Sequence, residues 1–541
     1  MKGFIIGREV FEKEVVAGST AELEVVHALR EVFEDLGGDD VYLEPIPVMT
    51  WIEDECFIEA PGLKIKCLAL PYSLSIDVEA RSLHAHYYGS SIALREDPAN
   101  KIVIAPYPDE PDDAKYVLLK LAKAGATAVV FYDNYPGRIR RIVICGSKGY
   151  SYIHGSPPPI PAAAISKESL LKLTKSINEG ILRLYIKTRV VHNSTGYNVV
   201  SVYNGSLESE VILSAHHDHW LKGYSDDLIG LESLARAALK LKDIDRRHTY
   251  VLVSFTAEES GAPGYASWYW SWGSRKYLEG RLVKRDLDKI ALAVNIDAVF
   301  TTPLRASINP FLWSIVKELV DLGYVSISGV TVDQPIFDSY SFTTIGVPAL
   351  TLHTFNELKP NYHTNLDDGR EWPSNLVEKV VEAIGNLLKI VNSYNTNELY
   401  RLDISTFVND LSSEAPVETL ILLMKLKELK HFEGKVAVDT FVREFTRNFI
   451  KASSDHRLGG RALSSITSEI HLLSELIREV KEGLVGEVDA SIIGADEALF
   501  NAYVSTYTQL EVLKSMYVTM ASIARKYLDR LNNVVSSSLI H

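Results

Sequence analysis

The sequence predicts an α/β protein organised on a largely parallel sheet, and three observations carry that prediction. First, continuous apolar runs at 199–203, 211–215, 250–255, 290–296 and 347–352 are separated by helical patterns such as 228–242 and 311–322. Unbroken apolar strands bounded by helices are what a parallel sheet covered on both faces requires. Second, His, Asp and Glu gather directly after these runs, and the carboxyl edge of an open α/β sheet is where such a fold holds its ligands. Third, strand patterns stop near 390. Beyond that point lie long amphipathic patterns at 420–429, 463–480 and 510–531, which read as a helical bundle.

At 541 residues the chain is too long for one ordinary core. A formal charge of −14 argues against a nucleic-acid partner, which requires a basic face. No run approaches the roughly 18 apolar residues of a membrane span, and Lys2, Arg8 and Glu9 interrupt the N-terminus too early for a signal-peptide core. The expectation is a cytoplasmic protein with no membrane contact. The cysteines, at 56, 67 and 145, are odd in number and lack CxxC spacing. They predict neither a disulfide framework nor a thiolate zinc site, so any metal must be held by His and carboxylate. Glutamine occurs only at 334 and 509 while Glu, Lys and Arg are plentiful. That is a mild thermophile signature, for which genomic base composition is the plainer explanation.

Taken in order, the chain begins with a capped amphipathic helix. Ser19 and Thr20 precede Glu22, Leu23, Val26, Leu29, Val32 and Phe33 keep helical spacing, and Gly37-Gly38 stops the pattern. Strands follow around 41–43 and 48–49. From about 65 to 190 short strands such as 101–105 and 129–132 surround one clear helix, 114–123. The proline run at 157–161 excludes helix or central strand there. This region reads as a small β-rich accessory domain without chemistry of its own. The strand–helix alternation starts at Tyr197.

The chemistry concentrates at five places that follow four of these strands. His216, His217, Asp218 and His219 follow the run at 211–215, with Asp226 and Asp227 shortly after. Glu258-Glu259 follow the run at 250–255, Asp297 follows 290–296, and Tyr362-His363 lie beyond 347–352. Taken singly, each has an ordinary explanation: a polar loop His, a Glu pair favoured by a helix dipole, or an Asp serving as N-cap. Together, two His and three carboxylates at one sheet edge match divalent metals, zinc above all. A further carboxylate, Glu258, is what metal-assisted hydrolysis needs as its base.

These motifs resemble those of the cocatalytic two-zinc exopeptidases, the aminopeptidases related to glutamate carboxypeptidase and the transferrin receptor ectodomain. Ala215 to Trp220 is similar to that family's Gly-His-x-Asp-Ser-Trp, and Asp226 to Gly230 to its Asp-x-x-Ser-Gly. Ala257 to Gly261 is similar to Ala-Glu-Glu-x-Gly, and Asp338, Phe342 and 346–349 to its Asp-x-x-x-Phe…Gly-Ile-Pro block. The resemblance implies a mostly parallel mixed sheet flanked by helices at 1–64 and 191–392. It further implies an inserted protease-associated domain at 65–190 and a helical dimerisation-like domain at 393–541. By position, His216 and Asp297 hold one zinc, Glu259 and His363 the other, and Asp226 bridges. Asp218 accepts from the second nitrogen of His216, Glu258 shuttles the proton, and the Tyr362 hydroxyl supports the oxyanion. Two zinc ions, or cobalt or manganese in their place, a peptide substrate and a homodimer through the C-terminal helices complete the implication. The peptide bond after Asp226 is expected to be cis.

Departures refine the reading. His217 and His219 flank the motif where relatives vary and are expected to be bystanders. Trp268, Tyr269, Trp270 and Trp272 could line an apolar pocket or simply pack. Where glutamate carboxypeptidases carry arginines this chain has Thr351 and His353, and Phe337 replaces their substrate-touching Asn. Without cations an acidic C-terminal residue has no bidentate partner, which favours aminopeptidase action with Glu258 and Asp338 near the α-amino group. A glutamate-carboxypeptidase-like activity is the alternative. An inactive receptor-like homologue and a single-zinc cyclase fit less well, because all five ligands and the base are present.

Overall fold

A computed structural model of the chain describes residues 4–7, 11–88, 91–109, 114–144, 157–176, 180–263, 271–308, 312–333, 336–395, 399, 522 and 525. The bundle and dimer surface expected at 393–541 therefore lie outside the described residues but for a few positions, as do Trp268, Tyr269 and Trp270. Among the described residues no helix is long and apolar enough to cross a membrane.

The sheet is mixed. In spatial order its core strands are Val325–Val332, Leu304–Ile308, Ala349–His353, Ile290–Ile296, Glu210–His216, Thr249–Phe255 and Ile181–Tyr203. The four central strands are parallel, while Leu304–Ile308 against Ala349–His353 and Ile181–Tyr203 against Thr249–Phe255 are antiparallel. Every residue of Ile290–Ile296 is buried, as its unbroken apolar sequence requires. Helices Thr20–Asp35, Ile229–Lys242 and Leu376–Ser393 pack on one face, joining Val26, Leu29, Phe33, Leu234, Ala238, Ile384 and Leu387 to the strand side chains in one core. Fully burying one such aliphatic side chain is worth roughly 1.5–3 kcal/mol.

Ser19 caps the first helix, its hydroxyl accepting from Glu22 N–H at 3.1 Å, while the Glu22 carboxylate reaches back to Gly18 N–H. The two short strands expected near 41–43 and 48–49 are one strand, Asp40–Ala60. Pro45 and Pro47 obscured it: proline is tolerated where a strand is paired on one side, and this stretch pairs only with Ile181–Tyr203.

The inserted region carries mostly strand, as expected, together with two helices among the described residues. Ile76–Tyr88, Ile102–Pro106, Ala128–Tyr132 and Ala162–Ile165 run parallel in that order. Helix Ala114–Lys123 matches the sequence expectation, and a second, Lys167–Ser176, was not foreseen because only Leu173 along it is fully buried. Ile181–Tyr203 runs from this unit into the core sheet, crossing the expected boundary at 190 without a break, and Asp40–Ala60 pairs along it.

The cysteine reading is corrected. Cys56 and Cys67 are disulfide-bonded across the hairpin formed by Asp40–Ala60 and Leu63–Lys66. Counting cysteines could not reveal that hairpin register brings these two together.

Candidate active site

Parallel register builds the site. His216 lies opposite Phe255, and Ser214 opposite Asn295. His216, Thr256 to Glu259, and Asp297 therefore leave the sheet side by side at its carboxyl edge. Asn295 is paired with Thr351, so the loop carrying His363 emerges from the next strand.

Two groups of ligand-type residues result: His216, Asp226 and Asp297, and Asp226, Glu259 and His363, all buried. Asp226 belongs to both. Its Oδ1 lies 3.0 Å from His216 Nε2 and its Oδ2 lies 3.5 Å from His363 Nε2. His216 Nε2 is 3.6 Å from Asp297 Oδ1, and His363 Nε2 is 2.8 Å from Glu259 Oε1. These are the five residues the sequence resemblance points to as metal ligands. The peptide bond between Asp226 and Asp227 is cis.

The donor set fits divalent metal. Among the described residues, His216 Nε2, both His363 ring nitrogens, Glu258 Oε1 and Glu259 Oε1 are buried without a well-directed hydrogen bond, facing only one another's ligand-type groups. Buried polar atoms are normally satisfied, and here the unsatisfied ones converge. Burial disfavours a charged His363, but Glu259 and Asp226 overcome it and raise the imidazole to about 9. Burial pushes the Glu258 carboxyl well above its ordinary range, with Asp297, Asp338 and Glu259 adding repulsion against the pull of His216. So many carboxylates in one buried space call for a cation.

Backbone strain concentrates at the same place. Ala257, Ala298 and His363 adopt φ of 51°, 49° and 55°, a left-handed conformation costing of order 1–3 kcal/mol for a non-glycine residue unless its surroundings enforce it. Each is held by an N–H from another element: Trp272 N–H to Ala257 O (2.9 Å), Thr354 N–H to Ala298 O (3.0 Å), and Arg141 N–H to His363 O (2.9 Å). Gly230 is needed for space, since a Cβ there would meet the Asp227 carboxylate at 2.2 Å. That carboxylate accepts the Gly230 N–H at 3.0 Å.

Asp218 departs from its expected role. His216 Nδ1–H donates to the backbone carbonyl of Asp218 at 2.8 Å, not to its carboxylate. The carboxylate is instead taken by the backbone N–H groups of Glu258 (3.0 Å) and Glu259 (3.1 Å). One residue thus fixes the tautomer of His216 through its main chain and the placement of the Glu pair through its side chain. Tyr362 stacks on the His363 ring at 3.6 Å between centroids and meets Phe355 edge-on at 5.0 Å.

The flanking histidines are structural. His217 Nε2–H donates to Glu22 at 3.2 Å, and Ser254 Oγ lies 2.7 Å from Nδ1. His219 stacks on Phe11 at 5.2 Å, and burial lowers it to about 3. Trp272 donates its indole N–H to Pro47 O at 2.8 Å and carries Arg275 and Lys276 over its ring, so it anchors a helix start.

Sequence reasoning missed several supports. Asp367 accepts from Ser225 and Asp226 N–H groups. Asn295, hydrogen-bonded to Ser214 Oγ at 2.8 Å, reaches Asp297 Oδ2 at 3.4 Å. Arg140 and Arg141 hold the His363 loop from the inserted unit. None belongs to a ligand motif, and only the spacing of Asp367 after His363 offered a hint.

Residues 198–388 match the model of peptidase family M28. The structure is similar to BSAP, a zinc aminopeptidase from Bacillus subtilis (18% identity, 73% of this chain and 97% of that one, TM-score 0.51). It is also similar to a peptidase M28 precursor from Shewanella amazonensis SB2B (19% identity, 72% and 93%, TM-score 0.56). At these identities the likeness speaks for the fold. No curated protein matches the chain. The family match covers the strands and loops that supply His216, Asp226, Glu259, Asp297 and His363.

Proposed function

We propose that the chain is a two-zinc aminopeptidase. The observation that carries this is the Asp226 carboxylate, which turns one oxygen to each of two ligand groups. His216 and Asp297 would hold one ion, Glu259 and His363 the other, with Asp226 shared. Cobalt or manganese would suit the same donors. Bound there, the ions supply Lewis acidity toward the scissile carbonyl and the attacking water.

The chain's own residues do the rest. Glu258 takes a proton from the attacking water as the C–O bond forms, then passes it to the amine as the C–N bond breaks. The Tyr362 hydroxyl is the proposed donor to the developing oxyanion. Asp338 is buried, and burial raises it to about 7 against the pull of the Ser274 and Ser271 side chains. With Glu258 it is the proposed partner of the substrate's free α-amino group.

A glutamate-carboxypeptidase-like activity is disfavoured by the positions that would carry its cations. Thr351 is spent on a hydrogen bond to Ser339 (2.7 Å), and burial lowers His353 to about 4, leaving it neutral. We read the inserted α/β unit as the protease-associated domain and 393–541 as a dimerisation domain. The cytoplasmic assignment also stays a proposal, and the Cys56–Cys67 bridge fits it best in a thermophile, where intracellular disulfides persist.

The test is metal dependence joined to one substitution. Peptidase activity should vanish in chelator, return with zinc, and fall at least 100-fold in Glu258→Gln with metal content unchanged. Full activity in that variant would refute the assigned base.

A further inference from the structure

The segment Arg138 to Arg141 comes from the inserted unit, far in sequence from every ligand, yet it grips the loop that carries His363. The Arg140 guanidinium donates to the carbonyls of Tyr362 and Pro360 (2.7 Å to Pro360). Arg138 donates to Pro360 O at 2.6 Å. Arg141 N–H donates to His363 O, and Arg140 forms an isolated β-bridge with Thr364. Ile139 exchanges hydrogen bonds with Asn365, donating to its side chain at 2.8 Å and accepting from its N–H at 3.2 Å.

The Arg140 side chain is 2% exposed. Asp133 orients it, with Oδ2 at 3.3 Å from Nε, and Asp133 Oδ1 also holds Arg138 at 2.6 Å. Tyr107 Oη–H donates to the Arg140 carbonyl at 3.2 Å. The fork thus arrives pre-aimed at the peptide preceding His363. His363 needs such a clamp, because its φ of 55° is unfavourable and its Nδ1 has no hydrogen-bond partner among the described residues to orient the ring. The His216 half of the site has no such dependence. Its ligands sit on strand ends of the core sheet, and His216 is oriented by Asp218 O.

We infer that Arg140 is a positioning residue through which the inserted unit sets metal affinity at the Glu259–His363 half of the site and leaves the His216–Asp297 half untouched. The inference rests on the two-metal reading. A planar guanidinium can engage two carbonyls at once, whereas an ammonium is a single point charge. Outer contacts of this kind typically change metal affinity 10–100-fold.

The experiment titrates metal-free full-length chain with zinc against a chromophoric chelator, alongside a thermal melt of the metal-free form. Wild type should take up two equivalents. Arg140→Met should keep one at wild-type affinity and bind the second 10–100-fold more weakly, with Arg140→Lys between. Asp133→Asn, which retains the guanidinium but loosens its aim, should show the same selective loss to a smaller degree and decides the matter if Arg140→Met does not fold. Equal weakening of both equivalents, or two unchanged equivalents in the folded variants, overturns the role of Arg140 alone. A wild-type chain that binds one equivalent overturns the two-metal reading and this inference with it.

Discussion

The carboxylate of Asp367 accepts the backbone N–H of Asp226 at 3.3 Å and that of Ser225 at 2.9 Å. The residue proposed to bridge two ions is thereby held from a loop 141 positions later in the chain. Burial raises Asp367 to about 7 against the pull of Ser225 and of the Ser225 and Asp226 N–H groups. Asp367→Ala should release the Asp226 backbone and lower kcat/KM and metal affinity about 10–100-fold. Asp367→Asn, which keeps one acceptor oxygen, should lose less. Metal content and steady-state kinetics on the two variants check this.

Asp218 gives a second test, because its main chain and its side chain do different things. Substitution leaves the carbonyl that orients His216 in place and removes only the carboxylate that accepts from Glu258 and Glu259. Asp218→Ala should therefore affect the base and the Glu259 half of the site. We expect kcat to fall about 10–100-fold, with the first zinc equivalent retained at full affinity. Loss of the first equivalent would show that the carboxylate serves His216 after all.

Stability should depend on pH through His353. Burial lowers its folded value to about 4, against an ordinary 6.5. Phe355 N–H donates to Nδ1 at 3.2 Å and Ser307 Oγ sits 3.1 Å from Nε2, consistent with one N–H. Between pH 4 and 6.5 the unfolded chain takes up a proton that the folded chain refuses. The stability this neutral histidine supports is therefore present above 6.5 and lost as pH falls toward 4. The full difference is about 3 kcal/mol. Urea denaturation of metal-free wild type and His353→Gln at pH 7 and pH 4.5 should show the wild type losing more on acidification. Parallel slopes would refute it.

The disulfide predicts a thiol count. Unfolded without reductant, the chain should react with one equivalent of thiol reagent, from Cys145, and after reduction with three. Three equivalents before reduction would show the Cys56–Cys67 bridge does not form in the expressed protein.

What was legible in the sequence follows from where the physics is local. The buried strand Ile290–Ile296 declared itself by an unbroken apolar run. The ligand residues declared themselves because parallel register puts strand ends side by side, so His216, Glu259 and Asp297 could be grouped without knowing the strand order. Asp40–Ala60 was read as two pieces because Pro45 and Pro47 are breakers everywhere but on a half-paired stretch of strand. Asp367 and Arg140 act on backbone atoms of residues 141 and 222 positions away, and no local pattern records a partner at that distance. The Asp218 carboxylate was misassigned for the same reason: its neighbour His216 was visible in the sequence, while the amides of Glu258 and Glu259, 40 and 41 residues on, were not.

The central claim is that this site removes residues from a free N-terminus with the help of bound metal. The most direct measurement is a mass-spectrometric time course of one unstructured peptide, supplied with a free and with an acetylated N-terminus, in zinc and in chelator. The account predicts stepwise shortening from the N-terminus of the free peptide in zinc, with the acetylated peptide and the chelator samples intact. Shortening from the C-terminus, or equal cleavage of the acetylated peptide, would contradict it.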